Sequence, residues 1–498
     1  MKQSNILLIM SDQHSVRGVG AYGNAEVKTP NIDALARGGV LFRNALCPSP
    51  ICVASRAAFF AGKHPYRIEA WDNAAPLRCD EPTFLHHLLA AGYTTAGSGK
   101  CHFIGPDQLH GFQERLTPDI YPAEMIWVDD WDAPITRDGG NNRDRVAEAG
   151  VAPWNHSMAY DERAAFLALE RLREFGAVKN RPPFFMFVSF TNPHDPYRTT
   201  PEYWNRYEGV DIRLPDHWNQ PAANLSPMNR WVQTHHDLLR PVEREDALRA
   251  RRAYYGNCSY IDDKVGEFIR ELERQGLREE TAIIFTSDHG EMLGEHGMWS
   301  KRSFYRGSAS VPLIINFPGG HYAGRTVESS VSALDIYPTL LGIAGAPTPR
   351  DIDGQGLLPL AAGTAKGRDE AFCEYEGDGV LAPCRMIQSG PFKLCHTHGQ
   401  QGELYDLSED PEEMNNLNKS PMHAPIRDRL LKRLLDGWDG AAIDAQARAS
   451  QTRRRFLEAV RLKHLEQWGY CAAGQQPRQI NRNRPVGCGT PRENDADS

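Results

Sequence analysis

Residues 5–13 read "NILLIMSDQ", five consecutive large apolar side chains followed by Ser11, Asp12 and Gln13. A run so short and so uniformly apolar, without polar alternation, fits a strand covered on both faces. The polar residues that end it then fall at the carboxyl end of that strand. The same pattern returns at residues 183–196, "PFFMFVSFTNPHDP", and at residues 281–290, "TAIIFTSDHG", which close on His194 and on Asp288 with His289. Helical stretches lie between these runs. "TPNIDALARGG" (29–39) has a proline start and a glycine stop, "EPTFLHHLLAAGYTTAGSGK" (81–100) reads as a helix and then a strand, and a long helical stretch surrounds residues 246–275. Buried strands alternating with helices predict an α/β fold, a large and mostly parallel sheet sandwiched by helices. In such folds a site gathers at the carboxyl ends of the strands.

From about residue 366 the texture changes. Short strand-like pieces, "AFCEYE", "CRMIQSG", "FKLCHT" and "GELYDL", precede a helix near 423–438, which predicts a smaller antiparallel sheet with a covering helix. The expected division is a catalytic domain over 1–365, a small α+β subdomain over 366–445, and a basic helix with an extended tail over 446–498. That last piece, with "RRRFLEAVRLKHLEQW" (453–468), is expected to serve as an oligomer contact, making the protein a homo-oligomer.

Composition narrows the class of function. A chain of 498 residues with 41% hydrophobic residues has material for a large core. A net charge of -8 argues against a general nucleic-acid or membrane binder, while leaving room for a local basic pocket. Ten cysteines without paired CxxC spacing indicate reduced thiols rather than a structural zinc site or a disulfide framework. The apolar run near the N-terminus is too short for a signal-peptide core or a membrane span, so a cytoplasmic enzyme is expected.

Residues 51–65, "ICVASRAAFFAGKHP", carry the next signal. If a helix begins here, Cys52 and Arg56 share one face a turn apart, with Cys52 at the positive end of the helix dipole, where a developing anion is stabilised. A cysteine in such a place is by itself more often an inert small side chain. Its neighbours change the reading. "CVASRAAFFAGK" resembles the type I sulfatase signature, C-x-P-S-R followed by an apolar stretch, in which the cysteine is oxidised after translation to formylglycine. "GYTTAGSGKCH" (92–102) matches the second signature of that family, G-Y-x-T-x-x-x-G-K-x-H. "TPNIDALARGGVLF", "NPHDPY", "FTSDHGEMLGEHGMWSK" and "LYDLSEDPEEMNNL" follow in the family's order. The chain is thus identified as a member of the type I sulfatases of the alkaline phosphatase superfamily. "WDNAAP" (71–76) and "GPDQLHGFQERLTPDIYPAE" (105–124) resemble the choline sulfatase branch.

The resemblance implies a set of roles. Cys52 is the precursor of a formylglycine hydrate, one hydroxyl of which attacks sulfur while the other later collapses the sulfated intermediate. Arg56 and Lys100 stabilise that hydrate, and His102 sits near the hydroxyl that loses its proton. His194 and Lys301 match the sulfate-binding and leaving-group positions, with His194 as general acid. Asp12, Gln13, Asp288 and His289, together with the modified Cys52, match the positions that hold one divalent metal. Many relatives have Asp-Asp and Asp-Asn there and hold calcium. Here an amide replaces a carboxylate and an imidazole replaces an amide, so calcium is the first expectation and manganese the second. Ala54 stands where most members have proline, which bears on recognition by the formylglycine-generating enzyme. Arg306 stands where relatives often carry Glu.

The expected substrate is a small organic sulfate ester. For a choline-like alcohol, Trp127 would face the cation and Asn73 would border the sulfate. Phosphonate monoester hydrolases, a sister group, resemble this sequence in the same Asp-Gln and Asp-His pairs, so a phosphonate monoester or phosphodiester hydrolase is the alternative. A non-catalytic anion binder is a third reading, disfavoured by the intact nucleophile and metal positions.

Overall fold

The computed structural model describes residues 3–137, 143–221, 223, 225–240, 242–464 and 468. Its framework is an eight-stranded sheet made of β1 (Asn5–Asp12), β2 (Val40–Leu46), β3 (Thr94–Gly99), β4 (Glu114–Arg115), β5 (Phe184–Pro193), β6 (Thr281–Ser287), β7 (Leu313–Asn316) and β8 (Arg325–Ser332), in the order β8-β2-β7-β6-β1-β5-β3-β4. All pairings are parallel except those of β7, which runs against both of its neighbours.

β1 is central because each of its faces meets apolar cover. Ile6, Leu8 and Met10 point into a core with Phe60, Phe84 and Phe187, and Leu7 and Ile9 into another with Ile261, Val265 and Phe268. The period-two alternation of side chains thus divides one uniformly apolar run between two cores. Each such side chain contributes about 1.5–3 kcal/mol by leaving water. The first core lies under α2 (Cys52–Ala61), α3 (Phe84–Ala90) and α6 (Ile336–Ala344), and the second under α1 (Pro30–Arg37), α4 (His156–Ala177) and α5 (Arg244–Arg274). Pairing of β1 with β5 stays in step to Ser11 opposite Phe190 and then jumps to Asp12 opposite Pro193. The polar residues of the sequence patterns leave the sheet at that break.

β3 ends at Gly99 with φ +92, where a side chain would stand 1.9 Å from the Ser189 carbonyl. Only glycine lets the backbone pass so close, and Lys100 N–H then donates to the same carbonyl at 3.0 Å.

A second sheet, antiparallel throughout, orders β9 (Glu370–Tyr375), β10 (Cys384–Ser389), β11 (Phe392–Thr397) and β12 (Glu403–Asp406). α7 (Ala424–Leu434) lays Leu430 and Leu434 against Ile387, Leu394 and Leu404 of that sheet. The last helix, α8 (Gly440–His464), runs unbroken through residue 446 and returns to the large domain. The extended tail read from the sequence lies outside the described residues. No described helix is long and apolar enough to cross a membrane.

α8 is fastened by a buried ion pair. Arg454 grips Asp72 through both nitrogens, at 2.5 and 2.8 Å, with both side chains shielded from water. Removing one partner leaves the other charge buried and unpaired, so Arg454→Ala is expected to cost about 3–5 kcal/mol of stability. Denaturant unfolding checks this, and a loss below about 1 kcal/mol would mean that the pair behaves as a solvated one.

Candidate active site

The ends of β1 and β6 and the start of α2 converge. β1 ends on Asp12, β6 is followed by Asp288 and His289, and Cys52 opens α2. One ligand atom from each of Asp12, Cys52, Asp288 and His289 lies within 4.8 Å of the others, all four residues buried. Cys52 Sγ stands 3.2 Å from His289 Nε2 and 3.7 Å from Asp12 Oδ1.

Two carboxylates and a thiolate in so small a space require cations. Lys100 Nζ lies 2.5 Å from Asp12 Oδ2, and Arg56 Nε lies 2.7 Å from Asp288 Oδ2. Arg56 Nη1 also donates to the Lys100 carbonyl at 2.7 Å and to Ser189 Oγ at 2.9 Å, which fixes the guanidinium against the strand ends. Burial and Cys52 push the Asp12 carboxyl up, but Lys100, with His194 and Arg56, holds it below the carboxylate range. Burial raises the Cys52 thiol, yet Lys100, Lys301 and His289 outweigh it and leave the thiol well below its ordinary value. Burial and then the Lys100 ammonium depress His102, keeping the imidazole neutral.

Several of these residues occupy left-handed backbone: Gln13 (φ 62), His102 (φ 59), Ser300 (φ 69) and Arg302 (φ 76). Such conformations cost about 1–3 kcal/mol for a non-glycine residue and are kept only where the surroundings impose them. For His102 the surroundings are Asp119, whose Oδ2 accepts the backbone N–H of Cys101 at 2.8 Å and of His102 at 2.7 Å. Asp161, on α4, accepts from the backbone and side chain of both Thr191 and Asn192 and so fixes the segment leading to His194. Sequence reading missed both residues. Asp119 at least lies within the "GPDQLHGFQERLTPDIYPAE" stretch, whereas an aspartate inside a helix gives no signal.

Lys301 Nζ contacts Gln13 Oε1 and stands 2.5 Å from His194 Nε2. An ammonium only donates, so His194 Nε2 accepts, and His194 Nδ1 donates to the Asp195 carbonyl at 2.6 Å.

Above this floor opens a cleft lined by Cys52, His102, His194 and Lys301 and, around them, by Asn73, Tyr121, Trp127, Asp129 and Asp378 together with Arg137 and Arg145. Tyr121 stacks on His102 with ring centroids 4.8 Å apart, and Trp127, 39% exposed, meets both rings edge-on at 5.8 Å. Asn73 Oδ1 accepts the N–H of Val53 at 3.1 Å, satisfying one of the free donors at the start of α2. Asp378 is held by Arg302 at 2.5 Å and His235 at 3.0 Å. Asp129 makes no ion pair among the described residues, and burial, with Asp378 and Asp72 nearby, pushes its carboxyl up to about 7. Every site residue expected from the sequence thus lies on the cleft or directly beneath it.

The family match and the relatives place the chain in the alkaline phosphatase superfamily. The chain belongs to the sulfatase family, whose profile matches residues 4–346, and it is accordingly an enzyme that hydrolyses sulfate esters. A profile described as N-sulphoglucosamine sulphohydrolase, C-terminal, matches residues 294–438. The chain is 38% identical over 494 residues to the choline-sulfatase of Rhizobium meliloti (strain 1021), covering 96% of each. It is 30% identical to the uncharacterized sulfatase YidJ of Escherichia coli (strain K12), covering 88% of each. Among solved structures, the phosphonate monoester hydrolase of Agrobacterium radiobacter aligns with a TM-score of 0.68 at 27% identity, over 89% of this chain and 96% of that one.

The electrostatics of the floor can be measured on metal-free enzyme in which Cys52 is unmodified. Lys100→Met removes the foremost cation acting on the thiol, so the pH midpoint of Cys52 alkylation by iodoacetamide is expected to rise by about one unit or more. An unmoved midpoint would show that Lys100 does not set the charge of the site.

Proposed function

We propose that the enzyme cleaves a small organic sulfate ester with a cationic alcohol, choline sulfate foremost, using a formylglycine made from Cys52 and one divalent metal, calcium first and manganese second. The observation that carries this reading is that Cys52 belongs to a buried anionic cluster and also lines a cleft with Trp127 and Asp129, which has no ion pair among the described residues. The donors fit a divalent cation: two carboxylates, an imidazole and the Cys52 position at bonding range of one centre, with Gln13 adjoining. The imidazole favours manganese more than an all-oxygen shell would. When bound, the metal would gather the sulfate oxygens and acidify the nucleophile, and the formylglycine hydrate would supply the attacking hydroxyl.

The remaining work falls to side chains. Arg56 and Lys100 keep Asp288 and Asp12 ionised. His102, neutral and stacked beneath Tyr121, takes the proton on the Cys52 side. His194, with Lys301 beside its Nε2, is the general acid that protonates the departing alkoxide. Asn73, its oxygen engaged by Val53, keeps an NH2 group to border the sulfate. A quaternary ammonium cannot donate an ordinary hydrogen bond, and an aromatic face beside a carboxylate is what attracts it. A formylglycine-generating enzyme would act on Cys52 during maturation, with Ala54 in the usual proline position reducing its efficiency.

The likeness to a phosphonate monoester hydrolase supports a second reading, a phosphonate monoester or phosphodiester hydrolase on the same floor. One panel separates the two: catalytic efficiency on choline sulfate, a neutral alkyl sulfate, an aryl sulfate and a phosphonate monoester, with the mass of the Cys52 peptide recorded in parallel. Choline sulfate is expected to lead, and Trp127→Ala to erase about tenfold of its advantage over the neutral ester. If that ratio is unchanged in Trp127→Ala the cation pocket is refuted, and if the phosphonate leads, the second reading holds.

Leaving-group dependence tests His194. His194→Ala is expected to slow alkyl sulfates about 100-fold or more while sparing nitrophenyl sulfate, whose phenolate departs without a proton. Equal losses on both would remove the general-acid role.

A further inference from the structure

Glu291 follows His289 by two residues and is completely buried, yet no cation among the described residues forms an ion pair with it. Its partners are neutral donors. Oε1 accepts from the Tyr197 hydroxyl at 2.9 Å and from the Ser300 N–H at 2.6 Å, and Oε2 accepts from the Gln13 side-chain NH2 group. Asp195 Oδ2 stands 3.4 Å from the same Gln13 nitrogen. On its other side the Gln13 carboxamide meets Lys301 Nζ, which also touches His194 Nε2.

A carboxamide has two ends of nearly equal shape and opposite hydrogen-bonding character. A lysine ammonium has no acceptor, so the end of Gln13 that faces it must be oxygen. Glu291 and Asp195 take the nitrogen end. The backbone does not enforce this choice, because Gln13 has already left β1 in a left-handed conformation, its N–H on Asp288 Oδ1 at 3.0 Å.

We infer that Glu291 is a positioning residue: by anchoring the amide nitrogen of Gln13 it presents the amide oxygen, rather than the NH2 group, to the divalent metal. This rests on the metal reading of the site given above.

The test exchanges the two residues, reading metal affinity rather than turnover. Metal-free wild type, Glu291→Gln, Gln13→Glu and the double variant Q13E/E291Q are titrated with Mn2+ and with Ca2+ by equilibrium dialysis and elemental analysis. In Glu291→Gln two amide NH2 groups face each other, and in Gln13→Glu two carboxylates do. Each single variant is expected to lose about 10–100-fold in metal affinity. The double variant restores one donor and one acceptor between positions 13 and 291 and keeps the acceptor that Tyr197 and Ser300 need, while the long Asp195 contact becomes one between two carboxylates. It is expected to recover to within about threefold of wild type, as coupling between contacting residues requires. Should Glu291→Gln fail to fold, Gln13→Glu against the double variant still decides the matter. A double variant no better than its weaker parent, or a Glu291→Gln enzyme with wild-type affinity, overturns the inference. Failure of wild type to bind either ion overturns instead the metal reading beneath it.

Discussion

The structure depends on neutralising two carboxylates that the parallel sheet delivers to one place. β1 and β6 are neighbours in register, so Asp12 and Asp288 emerge side by side, their ligand oxygens within 4.8 Å and sealed from water. Like charges at such a distance repel by about 3 kcal/mol even at an effective dielectric of 20, and the cost of burying each comes on top. Lys100 and Arg56 offset this by pairing with one acid each. They come from β3's end and from α2, so their pairing also locks the helix that carries Cys52 to the sheet. A lowered thiol, ionised acids and a neutral His102 follow from those two pairings together with burial.

Held this tightly, the site tolerates backbone strain. Gln13, His102, Ser300 and Arg302 all sit in left-handed conformations around the floor, and each is restrained by a buried acceptor or a close charge. Asp288 and Glu291 hold Gln13 and Ser300, Asp119 holds His102, and Asp378 holds Arg302. The acids therefore act twice, as charges and as anchors for turns that no run of regular structure would supply. Those turns set the floor's geometry to within hydrogen-bonding tolerance, as chemistry at a single sulfur centre demands.

The wall of the cleft is built differently. Trp127 and Asp129 come from a long connection after β4, Asn73 from the turn fastened to α8 through Asp72, and Asp378 from the residues after β9 in the second sheet. Loops carried by a rigid scaffold vary without disturbing it. The wall is thus assembled from several separate pieces of chain at the junction of the two sheets, above a floor built from strand ends.

Much of this was legible in the sequence. The apolar runs at 6–10, 184–188 and 282–285 read as buried strands, and the polar residues after them include Asp12, His194, Asp288 and His289. The motifs around Cys52 and Lys100 named the rest of the floor, because chemistry confined to one atom permits few side chains at each point. Asp119, Asp161 and Glu291 were not legible, since each acts on residues far away in sequence and a buried acceptor leaves no periodicity. The sequence alone determined which residues meet, through strand ends that must converge in a parallel sheet. Only the tertiary structure decided how they are charged and turned: that Lys100 pairs with Asp12, that the Gln13 oxygen faces Lys301, that Asp129 lines one cleft with Trp127 and has no ion pair among the described residues. Charge state and side-chain orientation depend on burial and on distances between elements, and those exist only once the sheet has closed around its core.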